Sequence, residues 1–173
     1  TEHVLDKGAC PLVALSLYNF VPSCKTCNGP DIKGAKTLGD TIAEMVELSP
    51  SAEGYDFDRK VSFEVKILTP GAADLNMATH PNDYEIDFNI RDNIYKKSID
   101  FFELKSRYNT GKTKIELLQW RDKRRCNPDN IIKQFADIKK ITFKEAFEEM
   151  FSLDLRKRQH YPMEKARREV MML

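Results

Sequence analysis

Two segments of the chain alternate apolar and polar residues without a slip. In "KVSFEVKI" the residues Val61, Phe63, Val65 and Ile67 fall on one side, and in "DYEIDFNI" so do Tyr84, Ile86, Phe88 and Ile90. A period of two over this length predicts strands with one buried and one wet face. The connecting stretch 69–82 is long and contains two prolines, so the expectation is an antiparallel pair joined by an extended loop.

The period then changes to that of a helix. "KSIDFFELKSRYN" runs to a breaker at Asn109-Thr110-Gly111. "KTKIELLQWRDKRR" sets Ile115, Leu118 and Asp122 on one stripe, with Leu117 and Trp120 nearby. "DNIIKQFADIKK" predicts a stripe of Ile131, Phe135 and Ile138. "TFKEAFEEMFSL" carries Thr142 and Glu145 at capping-box spacing, then Phe143, Phe147 and Phe151 or Met150 on one face. "PMEKARREVMML" places Pro162 at a first helical position. Earlier, "TIAEMVEL" (41–48) predicts a short helix with Thr41 and Glu44 as its box. The expected fold is α+β, a small antiparallel sheet followed by a helical C-terminal part. Three segments are expected, 1–48, 49–96 and 97–173, within a chain of 173 residues that is long enough to form one compact domain.

Composition narrows the function. The formal net charge is +1, so no global field draws the chain to nucleic acid, and affinity for phosphate must come from local clusters. No apolar run is long enough to cross a bilayer, so no membrane partner is expected. Cysteines 10, 24, 27 and 126 do not form a secreted disulfide framework, which makes a reducing cytoplasm the expected compartment. The chain opens on Thr-Glu-His rather than Met, with its densest motif in the first forty residues, and further sequence upstream is therefore expected.

That motif has three parts. Glu2 and His3 are adjacent; Asn19 precedes a Val-Pro turn; Asn28 directly follows the pair Cys24 and Cys27. Read as "EHVLDKGACPLVALSLYNFVPSCKTCNGPDIKG", the stretch resembles the HNH endonuclease family, whose ββα-metal motif runs Asp-His, a loop, Asn-Leu-Val-Pro-x-Cys-x-x-Cys-Asn, then Lys-Gly. The likeness covers about residues 2–37. It is nearest to a bacterial subgroup that includes effectors of Septu- and retron-type anti-phage systems, and "PMEKARREV" weakly resembles the end of that subgroup's helical tail.

The chemistry explains the residue types. Phosphodiester hydrolysis needs a base to take a proton from water and a cation to hold the charge that builds on phosphate. The resemblance implies His3 as general base, Glu2 and Asn28 as ligands of Mg²⁺ or Mn²⁺, and Asn19 as the catalytic-motif residue that braces the loop behind the base through main-chain hydrogen bonds. Glu2 departs from the family's Asp by one methylene and ligates by folding back. A tetrahedral zinc site takes four ligands, and Cys24 and Cys27 supply two. Either Zn²⁺ is completed by ligands upstream or the two thiols pack in a core. His80 and His160 read as bystanders beside loop prolines.

Lys25, Lys33 and Lys36 flank the motif and are candidates for phosphate contact. The runs "RDKRR" (121–125), "RKRQH" (156–160) and "KARR" (165–168) extend that track or are solvated helix faces, with Glu164 and Arg168 spaced as an i,i+4 pair. The expected function is DNA cleavage, with RNA as the alternative substrate, and without strong sequence preference by this chain alone, since nothing resembles a helix that reads the major groove. The resemblance also implies an ATPase partner protein of the SMC-like class that directs the nuclease in antiviral defence, docked on the amphipathic helices after residue 112. The alternatives are a degenerate, inactive HNH-fold module that binds nucleic acid or protein, and a structural zinc protein.

Overall fold

The computed structural model describes residues 2–5, 8, 10–13, 15–16, 19–21, 29, 36–153 and 163–172. The fold is α+β. The two alternating segments form β3 (Val61–Ile67) and β4 (Tyr84–Ile90), paired in one sheet. Two shorter strands precede them, β1 (Glu2–His3) and β2 (Phe20–Val21), antiparallel to each other with Glu2 opposite Val21 and His3 opposite Phe20. The β3–β4 register is antiparallel. It is set at one end by the Leu68 N–H donating to Asp83 O (2.7 Å) and at the other by the Arg91 N–H donating to Lys60 O (2.8 Å). Alternation decides the faces: Val61, Phe63, Tyr84, Ile86 and Phe88 are buried, while Lys66 and Asn89 on the opposite face are exposed. Among the described residues no helix is long and apolar enough to cross a membrane.

The chain divides into two compact units. The first is Thr1–Ser62 with Phe88–Tyr108. Here α1 (Ile42–Glu47) starts at Thr41, whose hydroxyl accepts the Glu44 N–H. The return arm of the expected box closes one residue early, because the Glu44 carboxylate accepts the Asp40 N–H (2.9 Å). That carboxylate is also claimed by Lys97 (2.8 Å), which bonds Asp40 as well (2.7 Å) and so ties α1 to α3 (Ile94–Phe101). Gly39 is needed where the helix begins, since a Cβ there would lie 2.8 Å from the Met45 nitrogen. After α2 (Phe57–Lys60), Tyr95 of α3 gathers the unit: its hydroxyl accepts the Asp56 N–H (2.7 Å), and the rings of Tyr55 and Phe57 meet it edge-on. Glu103 at φ 49° separates α3 from α4 (Leu104–Tyr108).

The second unit is Phe63–Asp87 with Asn109–Leu173. It contains α5 (Gly111–Cys126), α6 (Asp129–Lys139), α7 (Phe143–Phe151) and α8 (Glu164–Met172); α6 packs on α7 and α5 on α8. Ile132, Ala136, Ala146, Phe147, Phe151, Leu153 and Met171 form one buried cluster, flanked by Trp120, Phe135, Ile141 and Met150. The α7 capping box forms as expected, Thr142 with Glu145. The stripe expected on α6 does not. Ile132 and Ala136 are buried, and Ile138 is 81% exposed. The adjacent pair Ile131-Ile132 fits two stripes one residue apart, and the small Ala136, in one cluster with the small Ala146, lets α6 and α7 approach closely on that side. On α5 the buried stripe is Leu117, Leu118 and Asp122, with Ile115 at its exposed margin. The Asp122 carboxylate fixes the 69–82 loop by accepting the Met77 N–H (3.0 Å) and the Ala78 N–H (2.9 Å). Pro162 lies outside the described residues.

Candidate functional site

β1 ends at His3, which is half-buried and opposite Phe20 in the ladder. Just beyond, the regular pairing gives way to a side chain. The Val4 N–H donates to the Asn19 main-chain carbonyl (2.9 Å). The Leu5 N–H donates to Asn19 Oδ1 (2.7 Å), and Asn19 Nδ2 donates back to Leu5 O (3.1 Å). A carboxamide has the same donor and acceptor as a peptide unit, so Asn19 extends β2 by one extra "residue" that consists of its own side chain. Its N–H donates to Ser16 O (2.9 Å), which anchors the clamp to the end of the intervening loop. Asn19 is only 4% exposed, and a buried amide so satisfied holds its partners in one geometry.

The loop between the strands has a 3₁₀ turn at Pro11–Val13 and leaves Leu12 and Leu15 in solvent. Beside the clamp is a cavity of about 290 Å³, lined by Val4, Leu5, Ser16, Asn19, Val46, Ser49, Ser51 and Ala52. None of these side chains titrates near neutral pH, and the cavity itself therefore offers no acid–base group.

Of the other expected site residues, Lys36 is exposed. Lys25, Lys33, Asn28, Cys24 and Cys27 lie outside the described residues, as does the side chain of Glu2. Among the described residues no three His, Cys, Asp or Glu side chains could hold one metal ion. Cys10 and Cys126 are free thiols. His80 is exposed, with Nδ1 beside Thr79 Oγ1 (3.0 Å) and Asn76 O (3.2 Å), contacts that serve its own loop.

In the basic run 121–125, Lys123 and Arg125 are exposed, and Arg124 pairs with Asp129 and Arg125 with Asp122 (3.7 Å), as expected of a solvated helix face balanced by acids; its arginines also bond main-chain carbonyls. Arg121 donates to Val170 O (3.0 Å), Arg124 to Asn127 O (2.7 Å) and Arg125 to Leu75 O (2.9 Å). Lys123 lies over the Trp120 ring at 4.9 Å, and Arg167 of the 165–168 run over the same ring at 4.0 Å. Burial, and then the neighbouring Arg125 and Arg124, lower the Arg121 pKa. These cations close helix ends and cover aromatic faces within the second unit. On α8 Lys165 pairs with Glu169, and Glu164, expected to pair with Arg168, is buried. Residues 156–160, including His160, lie outside the described residues.

No family model matches the chain, and neither does any curated protein or solved structure. The reading of the site therefore rests on its own residues.

Proposed function

We propose that the chain is a metal-dependent HNH-type endonuclease that hydrolyses DNA phosphodiester bonds, with its catalytic ββα motif formed by the first forty residues. One observation carries the reading: the strand bearing Glu2 and His3 is antiparallel to the strand that follows Asn19, and Asn19 clamps the peptide two residues past His3 from both its N–H and C=O. A base must be held at one position relative to the phosphate, and irregular backbone holds a position only when its polar groups are satisfied.

In the proposed reaction the His3 imidazole takes a proton from a water molecule. The water oxygen attacks phosphorus, and the bond to the 3′-oxygen breaks. A carboxylate and an amide make an oxygen donor set that suits a hard divalent ion such as Mg²⁺ or Mn²⁺. Glu2 and Asn28 would hold it, and when bound it supplies positive charge that stabilises the phosphate and the leaving oxygen. Lys36, with Lys25 and Lys33, steers the phosphate backbone. Direction by an ATPase partner, a defence role and residence in the cytoplasm belong to the same proposal and draw their support from the sequence resemblance and the cysteine pattern.

The test is plasmid nicking across a Mg²⁺ and Mn²⁺ titration. His3→Ala is expected to lower the rate by about 10²–10⁴-fold, the usual contribution of general-base catalysis, with folding and DNA affinity retained. Glu2→Asp should keep or raise the rate, and Glu2→Ala and Glu2→Gln should lose most of it. Undiminished nicking by His3→Ala sinks the assignment. DNA binding without cleavage by the unaltered chain points to the inactive binding module.

A further inference from the structure

The cavity of about 290 Å³ beside the Asn19 clamp is left without a role by the proposed chemistry. All of its lining belongs to the first unit. Asn19 and Ser49, the latter 5% exposed, form its buried part, while Val46, 49% exposed, and the exposed Ser51 leave it open to solvent. Val4, Leu5, Val46 and Ala52 make the wall apolar, and Ser16, Ser49 and Ser51 bring hydroxyls to it.

This wall selects its occupant. No lining side chain is charged, so a phosphate or carboxylate inside would lack a counter-charge, which is costly. A plain hydrocarbon would leave the hydroxyls unmatched. Ser49 Oγ accepts the Ser51 N–H (3.3 Å) and makes one bond with Ser51 Oγ (2.8 Å). A hydroxyl has one donor and two acceptor positions, so Ser49 keeps one for a ligand. Ser16 Oγ bonds to no described residue. The matching group is uncharged, apolar on its faces and polar at its edge. A water molecule takes about 30 Å³ of liquid, so the cavity has room for about ten non-hydrogen atoms, the size of one nucleobase. Its place agrees with that size. Val4 and Leu5 follow His3 directly in the chain, and a base is one sugar away from its phosphate.

We propose that the cavity holds one unstacked base of the DNA strand, next to the phosphate that is cut, and that the chain cuts single-stranded or unpaired DNA in preference to duplex. Assigning the base to a DNA substrate rests on the nuclease reading; the cavity's preference for a base over a phosphate does not. A base inside a duplex gives up pairing and stacking to enter, at a cost of about a few kcal/mol, which an unpaired base is largely spared. The apolar side chains cover the faces of the base. Each hydroxyl rotates to donate or to accept and so meets the edge of any base, which agrees with the weak sequence preference expected of this chain.

The probes are two short single strands of DNA with the same number of phosphates, one made wholly of abasic sugars and one carrying a single adenine. Binding is followed without metal, through the backbone amide resonances of the full chain, so that it does not depend on cleavage. The adenine strand should bind about tenfold tighter, within the usual range for contact with one base, and should shift Val4, Leu5, Val46, Ser49 and Ala52. Val46→Phe fills the cavity from its half-exposed rim, and Ala52→Leu fills it from the following loop. Either should remove the tenfold difference and leave the affinity for the abasic strand unchanged. Equal binding of the two strands by the unaltered chain overturns the proposal. So does a difference that survives both variants, or one that leaves the cavity residues unshifted. With Mn²⁺ added, a single strand should be cut about tenfold or more faster than its duplex, and equal rates overturn the preference. No cutting of either, with the adenine preference intact, overturns the nuclease reading and upholds the base site.

Discussion

Asn19 in the first unit and Asn109 in the second do the same thing. Each carboxamide accepts the N–H and donates to the C=O of a single distant residue, Leu5 and Ile86 respectively. Their settings differ. Asn109 serves a seven-residue strand whose Tyr84 and Ile86 are fully buried, so packing already fixes the backbone that it caps. Asn19 serves strands of two residues, with Leu12 and Leu15 of the intervening loop in solvent. There the hydrogen bonds replace packing. Where close packing is sparse, a buried and satisfied amide specifies the backbone instead.

If the second unit is a packing scaffold, its largest sensitivity is to lost volume. Phe151→Ala, in the α6–α7 cluster, should destabilise by about 3–5 kcal/mol, measured by chemical denaturation, with no change in nicking per folded molecule. A smaller effect separates the two helix starts. Thr142→Ala removes a complete capping box and should cost about 1 kcal/mol, whereas Thr41→Ala, whose box is not reciprocal, should cost less by the same measurement. The smallest effect is electrostatic. The Lys97 ammonium bonded to Glu44, then the Asp40 N–H, hold the Glu44 carboxyl below its ordinary pKa. A depressed folded-state pKa gives stability that is present above the unfolded value and lost as pH falls through the folded one. The pair lies at the surface, where solvent screens it, so the slope should be slight, reduced by salt and reduced again in Lys97→Met. A slope unchanged in Lys97→Met removes the pair from the account.

What the sequence revealed follows the same division. The β3 and β4 faces were legible because a period of two leaves one reading when a single face is buried. The α7 cap was legible because both halves of the box are local. The α6 stripe was not: Ile131 and Ile132 are both apolar, and the choice between them was made by the fit of Ala136 beside α7. Asn109 read only as a breaker, since its partner Ile86 is remote in sequence and no local signal marks it. Asn19 has an equally remote partner but stood out because it sits in an ordered set with Glu2, His3 and Asn28. The surface reading of the basic run 121–125 fits the exposed Lys123 and Arg125, while the bonds of Arg121 to Val170 and of Arg125 to Leu75 were not legible because those carbonyls are remote in sequence.

The central claim is that one clamp serves chemistry and its twin serves packing. Asn19→Ala and Asn109→Ala, compared for plasmid nicking at saturating Mn²⁺ and at a temperature where both are folded, test it most directly. Asn109→Ala should lose about 1–3 kcal/mol of stability, the cost of leaving buried peptide groups unsatisfied, and nick at the unaltered rate per folded molecule. Asn19→Ala should stay folded in its second unit and lose about 10²-fold in rate, as a misplaced base does. Equal rates for Asn19→Ala and the unaltered chain would contradict the account.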